Sequence, residues 1–211
     1  MINISNDAIR RLLSPYGVDA SASLCEKTRA YAELLLRWNQ KIALTTVIEP
    51  SEIIRFHFGE SLFALSVLSD LQGRLADFGS GAGFPGLPLK LVSPSTHVTL
   101  IESNVKKTAF LAEVIRQLEL KDVEVFRGRA EDLPADHPPF DFAAARALGS
   151  HARILKWASR RLTPTGRVLL WLGGEDATTI SHDPRWVWKH PTLIPGTKNR
   201  YILVGEAQRD T

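Results

Sequence analysis

The chain has 211 residues, 44% hydrophobic and 23% charged, with a formal net charge of +3 and one cysteine. That length can bury one sizeable core with a small addition, and the balance excludes a disordered chain. The lone Cys25 excludes an internal disulfide and a thiolate metal site, and no stretch approaches the roughly 20 apolar residues of a membrane span. The first eleven residues carry Asp7 and no apolar run, unlike a signal peptide. A cytoplasmic protein with no membrane contact and no metal is therefore expected.

In chain order, Asn3 to Leu13 reads as a short helix punctuated by Pro15 and Gly17. A longer amphipathic helix runs from about Ser23 to Gln40, with Leu24, Tyr31, Leu34, Leu35 and Trp38 on its apolar side and Asn39 as a local cap. Thr46 and Glu49 have capping-box spacing before Pro50, and Ile53, Ile54, Phe58, Leu62, Leu65 and Leu68 continue as one helix. Residues 1–70 thus read as a helical extension that must lean on residues 71–211.

After Gly73 the rhythm changes. Strands are predicted at Leu75 to Phe78, His97 to Ile101, Val123 to Phe126, Phe140 to Ala145 and Arg167 to Leu172, separated by helices at Gly86 to Leu91, Val105 to Leu118 and His151 to Leu162. Alternating strands and helices predict an α/β fold with a parallel sheet covered on both faces. Trp186 to Leu193 and Arg200 to Glu206 read as a hairpin or as adjacent edge strands.

The chemistry concentrates in Asp77-Phe-Gly79-Ser80-Gly81-Ala-Gly83-Phe84-Pro-Gly86, at the end of the first strand. Glycines there permit a tight turn and close approach of a ligand to the main chain. In an open sheet of this kind ligands bind beyond the carboxyl ends of the strands, and Glu102, closing the second strand, can accept ribose hydroxyls. NAD would share Glu102, but Asp77 beside a pyrophosphate is repulsive, and Phe84-Pro is a bulky entry to the helix. S-adenosylmethionine brings an ammonium and a sulfonium instead, which Asp77 can offset. A nucleotide site and a purely structural turn stay open as alternatives. Ala130 or Glu131, after the third strand, could reach adenine; Asp132 reads equally as a turn or cap residue.

Arg146 closes the fourth strand, where a guanidinium can meet a substrate phosphate or base, or else simply pair with a carboxylate. Lys106 and Lys107 open a helix, where cations gain nothing from the helix dipole. With Arg127, Arg129, Arg153, Lys156, Arg160, Arg161, Lys189, Lys198 and Arg200 they could form a footprint for a phosphate backbone if several converge. His57 shares a helix face with Ser61, and no partner spacing makes it a metal ligand or part of a triad.

These residues resemble a known family. The glycine loop with its Phe-Pro extension, Glu102-Ser-Asn-Val-Lys-Lys107, Phe110-Leu111, Trp38-Asn39, Leu44-Thr45, His57-Phe-Gly-Glu-Ser61, Gly128-Arg-Ala-Glu131 and Arg146-Ala147 are similar to the bacterial small-subunit ribosomal RNA methyltransferase G family, once called glucose-inhibited division protein B. The likeness runs from about Ala30 to Val204. It implies a Rossmann-like, seven-stranded class I methyltransferase sheet with an N-terminal helical part. It also implies methyl transfer from S-adenosylmethionine to N7 of a guanosine in the 530 loop of 16S ribosomal RNA. Cofactor contacts would come from Asp77, Gly79, Ser80, Gly81, Phe84, Glu102, Ala130, Glu131 and Arg146, with Arg146 also positioning the substrate. RNA contacts would come from His57, Lys106, Lys107, Arg129 and Arg200. The enzyme is expected to act as a monomer on RNA held in a small-subunit particle. Two departures stand out: Ala43-Leu44-Thr45 replaces the family's usual Asn-Leu-Thr, and Glu60 replaces an aspartate. A small-molecule methyltransferase and a non-enzymatic RNA-binding module are the rival readings.

Overall fold

The structure is a computed structural model that describes residues 2–68, 70–146 and 151–208. Ala147, quoted above with Arg146, lies outside the described residues. Two helices open the chain, α1 (Asn6–Leu13) and α2 (Ala22–Asn39). Each starts on a serine, Ser5 and Ser21, whose hydroxyl accepts an otherwise unpaired backbone N–H of the first turn. A third helical segment, α3, spans residues 50–66 and is α-helical only in part: Ile53–Gly59 is π-helix and Phe63–Ser66 is 3-10.

Strands β1 (Arg74–Phe78), β2 (His97–Glu102), β3 (Val123–Arg127), β4 (Phe140–Arg146) and β5 (Leu162–Gly173) are parallel and lie in the order β3-β2-β1-β4-β5. The order reverses between β1 and β4, so the ends of those two strands flank the crevice where such sheets bind ligands. Helices α4 (Gly86–Val92), α5 (Val105–Gln117) and α6 (His151–Arg161) lie in the connections from β1 to β2, β2 to β3 and β4 to β5, and α7 (Gly174–Ile180) follows β5. Among the described residues α7 is the one helix that sequence periodicity did not foresee, being short and built of GEDATTI.

The tail adds β6 (Trp186–Trp188), β7 (Thr192–Leu193) and β8 (Arg200–Ala207). Strand β8 runs antiparallel to β5, and β6 and β7 both pair with β8. The expected seven strands are therefore eight, because two short strands share the outer edge of β8.

Two further expectations need correcting. Thr46 does not cap α3; Glu49 occupies the cap position and makes no side-chain cap bond. The helix from Pro50 is not continuously α-helical. At Gly59 an added side chain would run into the Tyr16 ring, which packs on the backbone of the π-helical stretch.

Strand alternation sorts side chains between the two faces. On one face Leu75, Phe142, Ala144, Leu169, Trp171 and Ile202 meet α1 to α5; on the other Ala76, Phe78, Ala143, Ala145, Val168 and Leu170 meet α6 and α7. The N-terminal helices thus share one continuous core with the sheet. By the same parity Asp77, Arg146, Trp171 and Arg200 point to the side of the N-terminal helices.

Candidate active site

The turn after β1 is held from both ends. Gly79 and Ser80 donate their backbone N–H groups to Ile101 O, and Gly81 N donates to Glu102 Oε2 at 2.9 Å. Tyr31 on α2 donates its hydroxyl to Ala82 O at 2.5 Å. Gly79, Gly81 and Gly83 have φ of 73°, 57° and 86°, which strains any residue bearing a Cβ.

Their environments differ, and so should their substitutions. A Cβ on Gly81 would find nothing nearer than Gly79 O at 3.8 Å, whereas one on Gly83 would meet the Tyr31 hydroxyl and come within 2.6 Å of Leu87 Cδ1. Gly83→Ala should cost more than about 3 kcal/mol in folding, from the left-handed backbone and the overpacking together. Gly81→Ala should cost about 1–2 kcal/mol, from the backbone alone. Urea titration of the two variants checks the contrast.

Asp77 is 0% exposed. Its Oδ2 accepts Gly86 N at 3.1 Å at the start of α4, and its Oδ1 has no hydrogen-bond partner. Burial, outweighing the Gly86 and Ser80 hydrogen bonds, raises its pKa to about 7, and the charge of Glu102 adds to the rise.

Two adjoining cavities open at this turn. One, of about 280 Å³, is bordered by Phe78, Gly79, Glu102, Gly128, Arg129, Ala130 and Arg153. The other, of about 290 Å³, is bordered by Leu44, Thr45, His57, the 79–82 loop, Phe84, Lys107 and Arg146. Gly79 borders both, and together they fall within the roughly 300–1,000 Å³ of small-molecule sites. Of the cofactor and RNA contacts that the resemblance implied, Asp77, Glu131, Lys106 and Arg200 border neither cavity. Asp77 sits behind the loop, and Glu131 is taken up by Arg153 at 2.9 Å. Lys106 is exposed at the start of α5, where Asn104 Oδ1 caps its backbone N–H. A larger cavity along α6 and another beside Arg10 and Arg11 lie away from the crevice between β1 and β4.

Arg146 is not free. Its Nη2 donates to Glu60 Oε2 at 2.9 Å and to Phe56 O at 2.6 Å, while Nη1 makes only 3.4 Å contacts with His57 O and Ser61 Oγ. Glu60 Oε1 lies 2.7 Å from Arg200 Nη2, and Trp171 Nε1 donates to Glu60 O at 2.7 Å. The Arg200 guanidinium also sits 5.2 Å from the centre of the Phe56 ring. A buried carboxylate clamped by two arginines thus fastens the π-helical stretch to β4, β5 and β8. Burial pushes the Glu60 carboxyl above its ordinary range, against the pull of the two guanidiniums.

His57 stacks on Phe84 with ring centres 4.8 Å apart, and Phe84 stacks on Tyr31 at 5.2 Å. The His57 Nε2 is 2.8 Å from Thr45 Oγ1. Burial first, then Arg146 and Arg200, lowers its pKa to about 4, so the ring is neutral at physiological pH.

Sequence reading missed the weight of Thr45 and Asn39. The Asn39 Oδ1 accepts the backbone N–H groups of Leu44 and Thr45, at 2.8 and 3.0 Å, and its Nδ2 donates to Thr45 O, so Asn39 shapes the cavity wall rather than merely ending a helix. Ala43 is exposed and borders neither cavity. Arg153, named above among the cations that could form a phosphate footprint, borders the first cavity.

The loop suits S-adenosylmethionine on these observations: an unpartnered buried carboxylate oxygen, a second carboxylate at the end of β2 with lone pairs to spare, and a turn with no room taken by side chains. Such a sheet, reversed between β1 and β4 with an acidic glycine loop at the switch, defines an S-adenosylmethionine-dependent methyltransferase of the Rossmann-like class. Two solved structures superpose on it. A SAM dependent methyltransferase from Aquifex aeolicus has a TM-score of 0.61 at 17% identity, covering 76% of this chain and 94% of that one. A mutant of MtNAS in complex with S-adenosylmethionine has a TM-score of 0.60 at 16% identity, covering 99% of this chain and 100% of that one.

The family model described as rRNA small subunit methyltransferase G matches residues 24–193. Among curated relatives, Ribosomal RNA small subunit methyltransferase G of Roseiflexus castenholzii is 37% identical, covering 94% of this chain and 89% of that protein. The protein of that name from Xanthomonas axonopodis pv. citri is 36% identical, covering 93% and 92%. The one from Desulfitobacterium hafniense is 40% identical, covering 75% of this chain and 66% of that protein. The chain belongs to the rRNA small subunit methyltransferase G family.

Proposed function

We propose that this enzyme methylates N7 of a guanosine in the 530 loop of 16S ribosomal RNA, acting in the cytoplasm as a monomer on a small-subunit particle. The observation that carries the reading is the border of the second cavity. It offers apolar and aromatic walls, a neutral imidazole, Lys107 and Arg146, and no carboxylate among the described residues. Guanine N7 has an in-plane lone pair and no proton, so its methylation needs alignment and exclusion of water but no base. A phenol or ammonium substrate would need a proton acceptor, and the one imidazole on this wall, with its pKa lowered to about 4, is a weak one.

Bound S-adenosylmethionine supplies an electrophilic methyl group. Its transfer to N7 would leave the sulfur neutral and the base cationic. Around it, Gly79, Ser80 and Gly81 leave the main chain open to the ligand, with Phe84 beside them. Asp77 offsets the ammonium from behind the loop, Glu102 accepts ribose hydroxyls, and Ala130 with Glu131 flanks the adenine. Arg146 keeps Nη2 on Glu60 and Phe56 and has Nη1 donors left for guanine O6 or a phosphate. Neutral His57, steadied by Thr45, lets cationic product charge develop beside it without repulsion. Lys107 and Arg129 border the two cavities and meet phosphates, with Lys106 and Arg200 outside them. Residues 71–211 form the catalytic unit and residues 1–70 the extension that carries His57 and Thr45.

Labelled S-adenosylmethionine, given with small subunits that lack the modification, should label one guanosine at N7. Label on a different atom or nucleotide overturns the reading. A second expectation concerns Arg146→Lys, which keeps the charge but not the fork. It should lower methylation at least tenfold and change cofactor affinity by less than about threefold, because one ammonium cannot hold Glu60, Phe56 O and a substrate acceptor together. Calorimetry and a filter-binding methylation assay separate the two effects.

A further inference from the structure

The cavity along α6, of about 410 Å³, lies outside the two cavities above and meets the border of the Glu102 cavity at Arg153. It is bordered by Glu131, Arg153, Lys156, Trp157, Arg160 and Arg161. Four cations face one carboxylate there, an excess equal to the +3 of the whole chain.

The partners are unevenly shared. Glu131 is spent on Arg153, with both its oxygens within 3.1 Å of Arg153 Nη2. Arg161 is spent on the carbonyls of Leu133 and Pro134. Lys156 and Arg160 are exposed and have no ion-pair or side-chain hydrogen-bond partner among the described residues. The floor is rigid, because Trp157 Nε1 donates to Ala130 O at 2.8 Å. Local stability does not account for the stripe. Arg160 and Arg161 sit in the last turn of α6, where the helix dipole favours cations, but Arg153 and Lys156 lie before that turn, and their neighbours on the stripe are like charges.

The position is equally specific. Arg153 borders both this cavity and the Glu102 cavity, and Gly79 borders both the Glu102 cavity and the one with Arg146. Lys107, Arg129, Arg153, Lys156 and Arg160 stand on the borders of these three cavities. A line of cations leading away from a base-sized cavity fits a phosphodiester chain, which carries a charge at every residue.

We propose that the cleft between α6 and the turn at Ala130–Asp132 is a second contact for the substrate RNA. It takes backbone phosphates of a stretch remote from the target base, with Lys156 and Arg160 as the phosphate ligands. Arg153 and Arg161, each held by its own partner, form the walls. This rests on the RNA-methylating reading given above.

The test is the double variant Lys156→Ala/Arg160→Ala, together with Lys156→Arg/Arg160→Lys as the charge-preserving control. Binding to 16S ribosomal RNA would be followed against salt, and methylation measured on the full RNA and on a short oligonucleotide of the target loop. The alanine variant should bind the full RNA at least tenfold more weakly, and the slope of log affinity against log salt should fall by about 1.4–1.8, two phosphate contacts' worth. Methylation of the short oligonucleotide, S-adenosylmethionine affinity and melting temperature should stay at wild-type values, and the control should bind as wild type does. An unchanged slope and affinity on the full RNA overturns the second contact while leaving the RNA-methylating reading intact. Equal losses on the short oligonucleotide also overturn it, since the cleft would then belong to the target site. Failure of the wild-type protein to methylate either the ribosomal RNA or small subunits that lack the modification overturns both.

Discussion

Replacing Glu60 with alanine should destabilise the protein by about 3–5 kcal/mol, the cost of leaving a buried charge without its partner. Glu60 is 1% exposed and the Arg146 side chain 15%, so water cannot replace the lost carboxylate. Arg146 would keep only Phe56 O at 2.6 Å and its long contacts to His57 and Ser61. Arg200 is different. Its side chain is 46% exposed and rests over Phe56, so it can turn to solvent. Arg200→Ala should therefore cost no more than about 1 kcal/mol, the range of exposed pairs. The Glu60 change should also reach the site, because the π-helical turn that the clamp holds carries His57. Denaturant titration of both variants decides the matter, and equal losses would mean that the clamp is as solvated on the Arg146 side as on the Arg200 side.

Asp77 should show opposite pH dependences for stability and for cofactor binding. Its pKa rises from 3.8 to about 7 on folding, so the protonated form is the one the fold favours. That contribution is complete below about pH 3.8 and is lost as pH rises through about 7, amounting to a few kcal/mol in all. The ammonium of S-adenosylmethionine selects the ionised form instead. Affinity should therefore rise about tenfold per pH unit up to about pH 7. In Asp77→Asn both slopes should flatten. The ligand-free variant at pH 8 should be more stable than wild type by about 1–3 kcal/mol, and its cofactor affinity at least tenfold weaker. Calorimetric titration and thermal melts across pH 5.5–8 measure both. A cofactor affinity in Asp77→Asn that still climbs with pH would assign the proton to another group.

Much of the sheet was legible because its signals are local. Short apolar runs between helical stretches placed β1 to β5, and the glycines of residues 79–83 marked the turn by what their backbone must do. The π-helical stretch was not legible: Ile53, Ile54, Phe58 and Leu62 have ordinary helical spacing, and the Tyr16 ring that packs on Gly59 comes from about forty residues upstream. Seven strands became eight because β6 and β7 are too short to be separated by pattern and are defined by their pairing with β8. At the site, Glu102 and the loop could be placed from strand ends alone. Arg146 was placed at the end of its strand but not paired with Glu60, since nothing near either residue names the other. His57 read as a bland helical residue because the Phe84 and Thr45 that surround it come from two other segments.

Sequence by itself determined the alternation of strand and helix and the acidic glycine loop, since each follows from backbone preferences over a few residues. Only the tertiary structure decided that Glu60 would join two arginines, that His57 would be neutral, and that the cations of α6 would continue the margin of the site. Charge and burial depend on neighbours distant in the chain, and their energies exist only once the chain has closed around them.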